Sequence, residues 1–310
     1  MSSIIETELN RDHENTGRRT DSLFYQETWA ASRARVQKED KEMMAHHFAH
    51  HDFLLPEGAN ATSERETAAS ILVNQGTGPN EVVQASLRWI EEHAADGPFH
   101  ITWYSPGALV PATLHDFRKD KPHLSAATHV HLFPGTVDIQ LQAQIGKEAQ
   151  EYARGIKRRF SYMILSGHSF DLQTGVVRFH FDREIPIQTT CALLEATQKF
   201  LFFDSTKFTG EGEVGYSLRE LLATCNAVVV YTVVSGRSQE IKEAFETLRS
   251  ELLTNEPRPG DGKEPKSLRL TIVGREDKPT ESIPWQGFLR LAEVPKASAR
   301  NGSPVANGSA

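Results

Sequence analysis

Short apolar runs alternate with segments of helical spacing along most of this chain. FHITWY (99–104), THVHLF (128–133), FSYMILS (160–166), FLFF (200–203) and AVVVY (227–231) read as strands of four to seven residues, apolar on both faces. From Thr28 to His51 the spacing is helical. FLL (53–55) then predicts a strand and PEGAN (56–60) a polar turn. Ser63, with Glu66 three residues on, predicts a capping box that starts a helix near Thr62 or Ser63. A further helix is predicted over Glu81–Ala95, where Val82, Val83, Leu87 and Ile90 share one face and Gly97-Pro98 ends the segment. Helical spacing returns at Pro106–Phe117, Leu141–Lys157, Ile187–Thr197, Leu218–Thr224 and Gln239–Leu253. Doubly apolar strands separated by helices predict an α/β fold, a mostly parallel open sheet with helices on both faces.

The boundaries follow from where this pattern fails. Residues 1–24 mix charge with Ser, Thr and Asn without an apolar period and predict a disordered arm ahead of a domain over 25–254. Residues 255–267 are rich in Pro, Gly and charge and predict a linker. LRLTIVG (268–274) predicts an added edge strand within an extension over 268–292 that packs on the domain, and 293–310 a disordered tail.

Composition narrows the classes. A formal charge of −7, from 34 Lys+Arg against 41 Asp+Glu, provides no global field for a polyanion, so direct DNA binding is not expected. No stretch approaches the roughly 20 apolar residues of a membrane span, and the opening lacks a signal-like apolar core. Two cysteines, Cys191 and Cys225, sit in apolar surroundings without metal or redox spacing, which predicts buried thiols and a cytoplasmic setting. No glycine fingerprint of a nucleotide site occurs, and no cofactor is expected. In AHHFAHHD (45–52), His46 with His50 and His47 with His51 stand at i, i+4. Without a remote ligand they read as a polar helix end, so no metal is expected.

Open α/β sheets bind ligands at the carboxyl ends of their strands, which directs attention to the loops at 56–62, 105–108, 134–136, 167–175 and 204–212. Their Gly, Ser and Thr residues suit a phosphate or carboxylate. The most specific is FLFFDSTKF (200–208), where Asp204, Ser205, Thr206 and Lys207 bring a carboxylate, two hydroxyls and an ammonium to one strand end. An exposed salt-bridged turn has the same composition. His168, Asp204 and Lys207 are also the parts an isomerase needs, with His168 and Asp204 the candidate bases and Lys207 the enediolate partner.

The stretch 200–233 resembles the sensor domain of DeoR-type sugar-metabolism regulators, whose strand ends in Asp-Ser-Ser-Lys-Phe-Gly before a short helix and a second apolar strand. FSYMILSGHSFDLQTGV (160–176) resembles that family's strand and Asp-Gly-Ile-Asp loop, keeping Asp171 and Gly175, with His168 at the first Asp. LFPG (132–135) and IGKEAQE (145–151) resemble its glycine segment and following helix start, keeping Gly135, Gly146 and Ala149. FHITWYS (99–105) keeps Ser105, and residues 38–62 resemble the opening helix, strand and Gly-Thr-Thr-Thr loop, keeping Gly58, with the threonines falling at Ala59, Asn60 and Ala61. The resemblance covers about 38–253. It implies a ribose-phosphate isomerase/CoA-transferase-like sheet with a pocket for a phosphorylated sugar or related anion. By it, Gly58, Asn60 and Thr62 form one wall, facing Ser105, Gly135, His168, Asp204 and Lys207. The family's helix-turn-helix has no match here, so the resemblance implies an effector-sensing domain without its own DNA-binding part and compatible with a homo-oligomer. A sugar-phosphate isomerase or CoA-using enzyme, and an interaction module that binds no ligand, are the alternatives.

Overall fold

The computed structural model describes residues 23–53, 67–96, 99–253, 266–274 and 281–283. A long helix α1 (Leu23–His51) precedes strand β1 (Thr67–Val73), helix α2 (Thr77–Glu92), β2 (Phe99–Ser105), α3 (Leu109–Asp120) and β3 (His129–Leu132). A hairpin of β4 (Thr136–Asp138) and β5 (Ala143–Ile145) leads to α4 (Lys147–Gly155) and β6 (Phe160–Leu165). Next come β7 (Ser169–Asp171), β8 (Val176–Phe179), α5 (Ile185–Ala192), β9 (Ala196–Phe202), β10 (Glu213–Ser217) and α6 (Leu218–Ala223). The described chain closes with β11 (Ala227–Val233), α7 (Ser238–Leu253), β12 (Ser267–Val273) and β13 (Glu281–Ile283).

Eight strands form one sheet in the order β13-β12-β11-β9-β6-β1-β2-β3. All neighbours are parallel except β13, which runs antiparallel on β12. This is the mostly parallel α/β sheet that the apolar runs predict. The strands alternate strictly: Met163 and Leu165 of β6 join one core with Val228 and Val230 of β11, whereas Tyr162 and Ile164 join the other with Val229 and Tyr231. Helices α4 to α7 cover the first face through Ala153, Ile187, Leu221 and Phe245. Helices α1 to α3 cover the second through Phe48, Val83, Leu87 and Leu114. A small antiparallel sheet, β10-β8-β7, rises beyond the end of β6.

Helix α1 is fastened to the sheet at its carboxyl end. Phe48 packs against Phe200 with ring centroids 4.8 Å apart. Beyond it, Asp52 accepts from the Tyr231 hydroxyl and, at 2.6 Å to each oxygen, from Arg269. His47 lies beside the same tyrosine, and burial drives its pKa down to about 4.

Several sequence expectations need correction. Of the strand expected at FLL (53–55), Phe53 follows the turn that ends α1, residues 54 and 55 lie outside the described residues, and the first described strand is Thr67–Val73. The expected helix from Thr62 or Ser63 does not run into this segment. The capping-box match that suggested the helix, Ser63 with Glu66, lies outside the described residues; Thr67–Val73 is strand, paired between β6 and β2. Helix α2 begins at Thr77, four residues before Glu81. The helix expected over Leu141–Lys157 is divided, because Ala143–Ile145 pairs with Thr136–Asp138 and Gly146, at φ +93°, turns the chain into α4. The helix expected over Ile187–Thr197 stops at Ala192, and β9 starts at Ala196. There Lys199 hid the strand from an apolar reading; its buried ammonium donates to the Ala192 carbonyl at 2.7 Å and to the Thr224 hydroxyl.

Candidate functional site

The sheet has a topological switch point. From β1 the chain winds outward through β2 and β3, then returns to the other side of β1 as β6 and continues through β9, β11 and β12. At such a reversal the loops after the two central strands leave toward opposite faces and open a crevice outside the carboxyl ends. Here those loops follow β1 and β6, with the loop after β9 beside them.

After β1 the residues are Asn74, Gln75 and Gly76. The Asn74 N–H donates to the Ile164 carbonyl at 2.9 Å, which ties the loop to β6. Gly76, the residue before α2, stands at φ +124°, a left-handed conformation that side-chain-bearing residues resist, and supplies no side-chain cap. The amino end of a 16-residue helix thus faces the crevice uncapped, with its partial positive charge. Lys41 of α1 donates to the Thr77 hydroxyl at 2.9 Å and brings a full charge to the same place.

After β6 come Ser166, Gly167 and His168. A Cβ on Gly167 would lie 2.4 Å from Val177 Cγ1, so the approach of this loop to β8 requires glycine. The Gly167 carbonyl accepts from Lys207 Nζ at 2.7 Å, and the Ser166 hydroxyl lies 3.4 Å from the same ammonium. Burial lowers the Lys207 pKa to about 8; the Asp204 carboxylate opposes that shift and Lys41 adds to it. Asp204 accepts at Oδ1 from the Thr206 N–H at 3.2 Å and from its hydroxyl at 2.6 Å. Helix α1 walls this loop, with Ser205 donating to Asp40 at 3.0 Å and Gln37 to the Thr206 hydroxyl at 3.2 Å.

A third contribution comes from the turn before α5. Glu184, buried, accepts from Gln75 Nε2 at 2.8 Å and from the Phe181 N–H at 3.2 Å. Desolvation raises its pKa, and those donors hold the rise in check. Around this meeting of loops several buried polar atoms have no hydrogen-bond partner among the described residues: both amide atoms of Asn74, Gln75 Oε1 and Asp204 Oδ2. Asn74 is fully buried and Asp204 nearly so, a costly arrangement for groups left unsatisfied. Such an arrangement can take up an anionic group at the cations and hydroxyls at the orphaned acceptors.

Of the residues singled out from sequence, Asp204, Lys207 and the loop of His168 come together. His168 itself is exposed, 4.9 Å from the His180 ring, with its N–H on the Arg178 carbonyl. Ser105 is buried and serves its own turn, accepting from the Gly107 N–H at 2.9 Å. Gly135, at φ +129°, packs against Ile145 and Ala149. Gly58, Asn60 and Thr62 lie outside the described residues. Their placement assumed a first strand at 53–55; with β1 at 67–73, the loop after the first described strand is 74–76. Asn74, Gln75, Gly76, Lys41 and Glu184 were missed. The run SILV followed by NQGTGP and an amphipathic EVVQASLRWI was the available signal for a strand, a turn and a helix.

A groove of about 590 Å³ lies elsewhere, between α4 and α5, lined by Arg154, Thr189 and Leu193 among others. Among the described residues no group of three or more His, Cys, Asp or Glu is arranged to hold a metal, and no helix is long and apolar enough to cross a membrane. No protein-family model matches the chain, and no curated protein matches its sequence. Among solved structures the chain is similar to a monomeric glucosamine-6-phosphate deaminase, with a TM-score of 0.34 and 9% identity over 76% of this chain and 95% of that one. It is also similar to a 6-phosphogluconolactonase from Shewanella baltica OS155, with a TM-score of 0.32 and 13% identity over 74% of this chain and 93% of that one.

Proposed function

We propose that this protein binds a small anionic polyol, with a phosphorylated sugar as the fitting class, at the carboxyl ends of β1, β6 and β9, and that it does so as an effector-sensing domain of the DeoR-like kind. The observation that carries this reading is Asn74, whose buried amide has neither its donor nor its acceptor atom paired among the described residues. A folded chain tolerates such a cost where a ligand repays it. In the proposal Lys207 and Lys41 neutralise the anion beside the uncapped start of α2, and Asn74, Gln75 and Asp204 meet hydroxyls. Asn74, Gln75 and Gly76 take the place that Gly58, Asn60 and Thr62 hold in the sequence reading.

The test is a panel of pentose and hexose phosphates in calorimetric titration and thermal unfolding. A fitting ligand raises the melting temperature by mass action, and Lys207→Met reduces its affinity. No stabilisation by any member of the panel overturns the reading.

A second reading, a sugar-phosphate isomerase, is favoured by one observation: an ammonium with a pKa near 8 shares the crevice with Asp204, whose Oδ2 has no partner among the described residues. In this reading Asp204 moves the proton between adjacent carbons and Lys207 holds the enediolate oxygen. Incubation of aldose and ketose phosphates decides: interconversion that Asp204→Asn abolishes supports the enzyme, and unchanged substrates support sensing alone.

A further inference from the structure

Gln75 and Glu184 are 109 residues apart in sequence, both more than nine-tenths buried, and joined by a single hydrogen bond. Glu184 Oε2 accepts from Gln75 Nε2, and the other end of that amide, Oε1, is left buried without a partner among the described residues. An ionised carboxylate only accepts, whereas a neutral carboxyl also donates. The protonation of Glu184 therefore decides which end of the Gln75 amide it can hold.

We propose that Glu184 is a positioning residue that selects, by its protonation, whether Gln75 presents an acceptor or a donor to the strand-end site; this rests on the reading of that site given above. When Glu184 is ionised it holds Nε2, and Oε1 accepts a ligand hydroxyl. When it is neutral its O–H donates to Oε1, the amide turns over, and Nε2 donates to an anionic oxygen. Only a proton on the carboxyl and a rotation of the amide change.

The surroundings place Glu184 within reach of that proton. Burial works against its charge, while the Phe181 N–H, the Gln75 amide and His180 on its own turn work for it. From the loop after β9, Lys207 faces it, each charge favouring the other. Arg183, its neighbour in sequence, is committed to Asp138 at 2.5 Å and to Gln140 at 2.6 Å. An anion that prefers the donor end takes up a proton at Glu184 as it binds, so its affinity increases as pH falls through the titration of that group.

The test uses the full chain labelled with ¹⁵N, without ligand, and follows the side-chain NH₂ resonances of Gln75 from pH 4 to pH 8, assigned by their loss in Gln75→Leu. The expected result is one titration that Glu184→Gln abolishes, Glu184→Asp displaces and Lys207→Met retains. Resonances that do not move, or that move alike in Glu184→Gln, overturn the proposal; the wild-type titration decides by itself should a variant not fold. Sulfate, which does not titrate in this range, then serves as the anionic probe. Its affinity is expected to rise about tenfold as pH falls through the same midpoint, the equivalent of one charge-assisted hydrogen bond, and to lose this rise in Glu184→Gln. An affinity that ignores the midpoint while the amide titrates overturns the link to the ligand. Failure of sulfate and every sugar phosphate to bind defeats the site reading instead, a result distinguishable from a silent amide.

Discussion

Lys207 and Asn74 are residues whose replacement separates stability from binding. The folded-state pKa of Lys207, about 8, lies below its ordinary 10.5, so between these values the unfolded chain holds a proton that the folded chain has released. Lys207 is therefore predicted to contribute stability that grows as pH rises from about 8 to about 10.5. Lys199 adds a rise of the same kind and the buried tyrosines and cysteines, their pKa values raised by burial, act with the opposite sign, so the contribution is read as the gain of wild type over Lys207→Met in urea unfolding at several pH values. Binding has the opposite sign: an anion holds the lysine protonated, so its affinity falls as pH climbs through about 8 in the wild type. Loss of a charge-assisted hydrogen bond predicts a 10- to 100-fold weaker affinity for Lys207→Met below that pH, by calorimetry. Asn74→Leu replaces a buried amide, unpaired among the described residues, by hydrocarbon of similar size. It is predicted to stabilise the unliganded protein by about 1–3 kcal/mol in denaturant unfolding while abolishing ligand-induced stabilisation. Asp204 and Lys207 were legible in sequence because an apolar run ending in carboxylate, hydroxyls and ammonium is conspicuous. Asn74 was not, since a neutral amide after three apolar residues acquires meaning only when burial denies it water.

At the scale of elements, the site depends on α1 and on the entry to α2. Phe48→Ala removes the ring that locks α1 onto Phe200 and Phe202, and a loss of about 3–5 kcal/mol is expected in denaturant unfolding. Asp52→Ala leaves Arg269 and the Tyr231 hydroxyl without their shared acceptor, and about 2–3 kcal/mol is expected for the lost charge-assisted bonds. Both variants loosen the helix that carries Asp40 and Lys41, so both should weaken ligand binding as well. Doubly apolar strands such as β6 and β11 were readable as such, because a strand buried on both faces has little room for polar residues. Strand β1 was not: the small and polar residues of TAAS break the apolar run, and the capping-box pattern of Ser63 and Glu66 argued locally for a helix. Pairing with β6 and β2 makes 67–73 a strand, and places the first described strand-end loop at 74–76.

Across the whole molecule, the order of strands locates the site better than any motif does. The reversal between β1 and β6 brings residues far apart in sequence, such as Asn74, Gly167 and Lys207, to the same edge of the sheet. The sequence shows the alternation of strands and helices, and hence the class of fold, but not the order of strands, which is fixed by crossovers that leave little local trace. The sharpest test of the account is a titration of the ¹⁵N-labelled chain with the sugar phosphates, reading backbone shifts residue by residue. The account predicts that the largest changes fall at 74–77, 166–168 and 204–207 together. Changes centred on the groove of Arg154, Thr189 and Leu193, or none anywhere, would contradict it.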